Sequence, residues 1–350
     1  MKRIAALLLL LVLLASAFAG CGQAGGQEST PERNTDHERL KVVVTVFPLY
    51  DWAREIAGDR ADVSMLMKSG VDLHSFQPGV KEVLEATQSD LFLYVGGPSD
   101  AWVGEAFSGA AGARAVSLDM MSLLGDSVLE EADPEGAEHG EHHHGNDGHD
   151  GHEEDAAHED HNDHDDDGEE EHEPDEHVWL SLRRAAVCVE GIRDALIRLD
   201  PDGEKAYRDN ADAYLAKVRA LDETYAKEIA ALPGKTLLFG DRYPFRYLAE
   251  DYGLTCYAAF SGCSAESEAS FATVAGLAQK LDELSLPCVI ALKGSDLKLA
   301  KTIIENTQSK DRKILLLEPL QSVTDQEAAA GLSYLSAMES NLEQIKEALR

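Results

Sequence analysis

The chemistry-bearing residues of this 350-residue chain are mostly histidines, and they are concentrated. Of 13 histidines, 11 lie between His139 and His177; only His37 and His74 fall outside that stretch. Neutral imidazole suits borderline divalent cations such as zinc, and carboxylates supply a harder complement. Both crowd into residues 130–176, which carry 23 of the 65 acidic side chains and no Lys or Arg. His139, His142, His143, His144, His149, His152, His158, His161, His164 and His172 belong to this tract, a dense trap for cations. Two histidines stand apart from those ten. His74 lies in Asp72-Leu73-His74-Ser75-Phe76, shortly after an apolar run, and His177 opens the run Val178-Trp179-Leu180. A loop histidine just beyond a strand can point its ring into a cleft, so these two are the candidates for a built site.

Other chemistries lack their motifs. There is no His-Glu-x-x-His and no Gly-x-Ser-x-Gly, so metallopeptidase and serine-hydrolase readings have no anchor. There is no Gly-x-x-x-x-Gly-Lys-Ser/Thr either, so any ATP hydrolysis belongs to another chain. Cys188, Cys256, Cys263 and Cys288 form no Cys-x-x-Cys, which removes zinc-ribbon and thioredoxin-type motifs. One disulfide among the last three is expected if the chain is exported. The net charge of −34 argues against a nucleic-acid partner, which needs a basic surface. Most of that charge belongs to residues 130–176; without them the chain carries −11. The tract is too polar to bury a core and is expected to be a disordered insert.

The elements that must position His74 and His177 are legible as apolar runs. Strand-like runs at 40–47, 62–67, 91–96 and 113–118 are followed, after the insert, by runs at 235–240, 254–260, 287–292 and 313–318. Short continuous apolar runs separated by helical stretches indicate parallel strands buried on both faces. The expected fold is α/β: two similar lobes, each a mostly parallel sheet flanked by helices. A single long helix joins them. Tyr207, Ala211, Tyr214, Val218, Leu221, Tyr225 and Ile229 mark its apolar stripe between Pro201 and Pro233. The first lobe spans 39–200, the linking helix 201–232 and the second lobe 233–350, with residues 323–349 as one closing helix. Ligands of such sheets bind beyond the carboxyl ends of the strands, so the cleft between the lobes is the expected site.

The N-terminus reads as an address. Lys2 and Arg3 precede an apolar run of about 14 residues, too short to span a bilayer. Ala19-Gly20-Cys21 follows, which resembles a bacterial lipoprotein signal. Residues 1–20 would then be removed, Cys21 lipidated, and 21–38 left as a flexible tether. The expected location is extracytoplasmic, lipid-anchored to the cell membrane of a bacterium.

Several segments together resemble the zinc-uptake solute-binding proteins of bacterial ABC transporters, a group with manganese-binding relatives. They are Ser69-Gly70-Val71-Asp72-Leu73-His74, then Asp90-Leu91-Phe92-Leu93-Tyr94-Val95-Gly96-Gly97, then Ala101-Trp102. After the insert come Asp175-Glu176-His177-Val178-Trp179, Asn210 to Leu215, and Ser333-Tyr334-Leu335. The resemblance runs from about residue 40 to 350. It implies a non-enzymatic capture protein that delivers Zn²⁺ to an ABC permease with a cytoplasmic ATPase, and a monomer. A manganese-binding protein, or a surface adhesin or metal sensor on the same fold, are the alternatives. His74 and His177 match the family's first two ligands. The usual third position holds Arg242, which cannot coordinate a cation. The resemblance then points to the adjacent Asp241, and to Glu318 as the fourth ligand because Leu292-Lys293 stands where zinc members carry a Glu. Glu266 and Glu268 are held in reserve. The insert would gather zinc and pass it to the cleft.

Overall fold

The computed structural model describes residues 39–67, 70–109, 113–131, 173–263 and 269–350. Four strands form the first sheet: β1 (Leu40–Val44), β2 (Ala61–Met65), β3 (Leu91–Tyr94) and β4 (Val116–Asp119). Four more form the second: β5 (Thr236–Tyr243), β6 (Thr255–Ser261), β7 (Cys288–Leu292) and β8 (Lys313–Leu317). The orders are β2-β1-β3-β4 and β6-β5-β7-β8, with every pairing parallel. The two sheets therefore repeat one topology. Their central strands are the most apolar, as expected where helices cover both faces; Cys288–Leu292 is buried throughout.

β5 departs from expectation in a way that matters for the site. The apolar run stops at Gly240, but the strand continues to Tyr243 through a register shift between Phe239 and Arg242. Such a bulge re-aims side chains at a strand's end. Asp241 and Arg242 are thus strand residues instead of loop residues.

The long helix spans Glu204–Ala231, 28 residues and about 42 Å at 1.5 Å per residue. Its seven stripe residues are all buried, with Leu215 beside them. Lys235 closes its C-terminus by donating from Nζ to the carbonyls of Ile229 and Leu232. The stripe packs on helices Phe47–Ala57 and Leu182–Leu199 of the first half and on Tyr334–Ala348 of the second. One continuous cluster of buried apolar side chains consequently runs from Val42 to Leu349 and includes residues of both sheets.

Two expectations need correcting. The closing segment is two helices, Asp325–Ala329 and Tyr334–Ala348. Gly331 between them has φ +93°, which stops a helix, and Ser333 caps the next one by accepting from Ser336 N–H. Nor does a disulfide form among the described residues: Cys188, Cys256, Cys263 and Cys288 are all free. Cys256 and Cys288 lie on strands that flank β5 on opposite sides, about 9.5 Å apart at two strand spacings, beyond disulfide reach.

Candidate metal site

His74 is positioned by a short turn, Leu73–Ser75, that follows β2. Asp72 caps this turn, its Oδ1 accepting from the His74 N–H at 3.0 Å. The ring is held from behind by Glu176, whose Oε2 lies 3.1 Å from Nδ1, and Ser99 Oγ is 3.2 Å from the same nitrogen. Glu176 is itself buried and fixed by Ser99, accepting from its N–H and its hydroxyl at 2.6 Å each. Gly97 makes room for it. At φ +78° a Cβ there would lie 2.7 Å from the Glu176 carboxylate. Asp100 lies beneath the same loop. Its Oδ2 accepts from Val95 and Gly96 N–H, while its Oδ1 has no hydrogen-bond partner among the described residues. Burial, with the charges of Glu176 and Asp119 behind it, pushes this carboxyl up to about 7.

His177 is fully buried and opens the turn Val178–Leu180. Its Nδ1 and its backbone N–H both lie 2.9 Å from Asp175 Oδ1. Trp179 anchors the turn by donating to the Pro319 carbonyl at 2.8 Å, and Tyr334 donates to the Trp179 carbonyl at 2.7 Å. The two imidazoles, both from the first half, meet with Nε2 atoms 3.1 Å apart. Two nitrogens bound to one tetrahedral zinc at 2.0–2.1 Å would be about 3.3 Å apart.

The partners fix the protons. Glu176 and Asp175 can only accept as carboxylates, so each histidine presents Nδ1–H to its carboxylate and Nε2 to the cleft. Gln321 bridges the next contact: its Nε2 donates to Asp72 Oδ2 at 2.6 Å, which turns its Oε1 toward His177 Nε2 at 3.1 Å. An amide oxygen can only accept, so His177 Nε2 also carries hydrogen, and His74 Nε2 accepts from it. Burial alone would depress His177, but the hydrogen bond and charge of Asp175 outweigh it and hold the imidazolium above its ordinary value.

A third donor joins them. Among the described residues, His74, His177 and Cys263 offer ligand atoms that all lie within 4.8 Å of one another. Cys263 follows β6, and Gly262 lets that loop approach. A Cβ at 262 would lie 3.1 Å from His177 Cε1 and 2.9 Å from the Tyr243 carbonyl.

The model of a family described as zinc-uptake complex component A, periplasmic, or ZnuA, matches residues 42–348. The chain belongs to the ZnuA family. It is 31% identical over 313 residues to the zinc-binding lipoprotein AdcA of Streptococcus pneumoniae serotype 4, covering 88% of this chain and 56% of AdcA. The chain thus spans about half the length of that relative. It is 27% identical over 339 residues to the high-affinity zinc uptake system protein ZnuA of Bacillus subtilis strain 168, covering 97% of each. The Zn(II)-bound ZnuA-like domain of S. pneumoniae AdcA matches with a TM-score of 0.66 at 28% identity, over 89% of this chain and 99% of that domain.

Within this ZnuA-family fold the second-half carboxylates do not converge on the histidines as expected. Asp241 is committed to the bulge, accepting from Arg242 N–H at 2.9 Å and Leu292 N–H at 3.1 Å. Glu318 pairs with Lys293 Nζ at 2.8 Å and accepts from Leu320 N–H at 3.1 Å. Lys293 also reaches Glu327 at 2.7 Å, and this bond helps push Glu327 down to about 2. Each carboxylate is thus satisfied by a neighbour that the resemblance alone does not reveal. Arg242 spans the cleft instead, its Nη2 lying 3.0 Å from Asp72 Oδ2. Burial would raise the Asp72 carboxyl, but Arg242 and Gln321 hold it below the usual carboxylate range. Glu266, Glu268, Cys21 and the ten tract histidines from His139 to His172 lie outside the described residues.

Proposed function

We propose that this chain is the extracytoplasmic capture component of an ABC importer, binding Zn²⁺ between His74 and His177 and delivering it to a membrane permease driven by a cytoplasmic ATPase. One observation carries this reading: two imidazole Nε2 atoms 3.1 Å apart, each ring backed by a buried carboxylate at its other nitrogen. Carboxylate-backed imidazoles of fixed tautomer are what a zinc site needs. Capture then displaces the Gln321 contact and expels the hydrogen on His177 Nε2. The names of the relatives support zinc as cargo. Calorimetric zinc titration of His74→Ala and His177→Ala tests the reading. Loss of the tight site in both is expected; an unchanged tight site in either overturns it.

The Cys21 lipid anchor completes this proposal by keeping the chain outside the membrane close to its permease. The ten tract histidines from His139 to His172 act as a zinc collector of lower affinity. Deleting residues 138–173 should remove several weak sites and leave the tight one; unchanged stoichiometry would refute the collector.

A further inference from the structure

We propose that Cys263 is a zinc ligand, so that two imidazoles and one thiolate hold the ion. This rests on capture between His74 and His177 and adds a third donor that the resemblance does not assign.

Three observations support it. The sulfur falls in the group whose donor atoms all lie within 4.8 Å. In a tetrahedral site with a 2.3 Å zinc–sulfur bond, sulfur and nitrogen stand about 3.6 Å apart, so loop movement of about 1 Å suffices. Second, the approach is built. The Gly262 backbone passes against the His177 ring and the Tyr243 carbonyl in space no side chain would leave. The Cys263 N–H donates to Glu131 Oε1 at 2.8 Å. Glu131 is held in turn, its N–H donating to the Glu173 carbonyl at 2.7 Å, and Asp175 N–H donates to the Leu129 carbonyl at 2.8 Å. The loop bearing Cys263 is therefore pinned to the segment that carries His177. Third, among the described residues of the second half the other candidates are engaged: Arg242 faces Asp72, and Asp241 and Glu318 have their own partners.

On binding, the Cys263 S–H bond breaks, a zinc–sulfur bond forms and one proton leaves to solvent; nothing is oxidised or reduced. A soft thiolate in place of a carboxylate favours Zn²⁺ and Co²⁺ over Mn²⁺.

The test loads the full-length protein with one equivalent of Co²⁺, which reports sulfur ligation through a near-ultraviolet charge-transfer band. Histidine and carboxylate sites, the tract included, lack this band. The wild type should show it, and Cys263→Ser should lose it while weakening zinc by more than the 10–100-fold typical of an outer partner. The same variant should narrow the preference for Zn²⁺ over Mn²⁺. In the wild type, zinc should protect Cys263 from alkylation as read by mass spectrometry, which needs no variant to fold. No band, a band that survives Cys263→Ser, or no protection overturns the thiolate. A tight site that still depends on His74 and His177 would then leave the capture reading standing; a tight site indifferent to both would remove that reading as well.

Discussion

Glu176 serves His74 and Ser99 with one buried carboxylate, and that sharing makes it a positioning residue of large effect. Glu176→Gln keeps the shape but weakens the acceptor for His74 Nδ1–H. Zinc affinity should fall about 10–100-fold with thermal stability little changed, as checked by calorimetry beside a melting curve. A mere core role would show the opposite pattern. Asp100, one loop below, predicts a pH effect. Its folded value of about 7 exceeds its ordinary 3.8, so between those two the folded protein binds more protons than the unfolded one. Stability contributed by Asp100 is therefore greatest at the acid end of that window and declines as pH rises through it. Asp100→Asn should flatten this slope, measured as urea midpoints at about pH 5 and about pH 8; an unaltered slope would assign it to other groups. Which site residues the sequence could reveal follows from the same contacts. His74 and His177, whose rings the fold brings together, stand out in the sequence because each sits at the junction of a polar segment and an apolar run. Cys263 was silent, because a lone cysteine has no spacing signal and its meaning comes only from a loop folding onto residues 74 and 177. Nothing in the sequence shows that Leu292 N–H and Lys293 satisfy Asp241 and Glu318, because these pairs are neighbours only in three dimensions.

Among the elements, the helix Tyr334–Ala348 ties the halves together. Tyr334 is fully buried, its ring edge-on to Trp52 at 5.0 Å, its N–H donating to Asp51 at 3.0 Å and its hydroxyl to Trp179. Tyr334→Phe leaves the Trp179 carbonyl unpaired in the core and should cost about 1–3 kcal/mol in chemical denaturation. Because Trp179 anchors the turn bearing His177, zinc affinity should fall as well; a purely local effect would spare it. The strands were readable because continuous apolar runs of four to eight residues have few other uses in an α/β chain. The long helix was readable from a stripe whose every member is buried. The bulge in β5 was not, since Gly240-Asp241-Arg242 reads as a loop opening and only pairing with β6 shows the strand continuing. The break at Gly331 was available in Gly331-Leu332-Ser333, a stop followed by a cap, but the surrounding helical composition masked it.

At the scale of the whole molecule, one apolar cluster continues through both halves and along the long helix. A hinge between the lobes would have to open that core, exposing surface worth about 25 cal/mol per Å². The lobes are therefore expected to stay in place while loops near Cys263 and Gln321 adjust. Small-angle scattering should give the same radius of gyration with and without zinc, and a clear contraction on loading would count against the shared core as a brace.

The anchoring of His177 also sets a schedule. Its ring meets Gln321, its turn hangs on Pro319, and Tyr334 holds the carbonyl of Trp179. Three supports of His177 thus come from residues more than 140 positions further along the chain. A chain emerging N-terminus first has both histidines outside long before it has a place to hold a metal. Only when residues 319–334 arrive does the cleft have its supports, so a chain that stops short of them has no finished site to hold a metal.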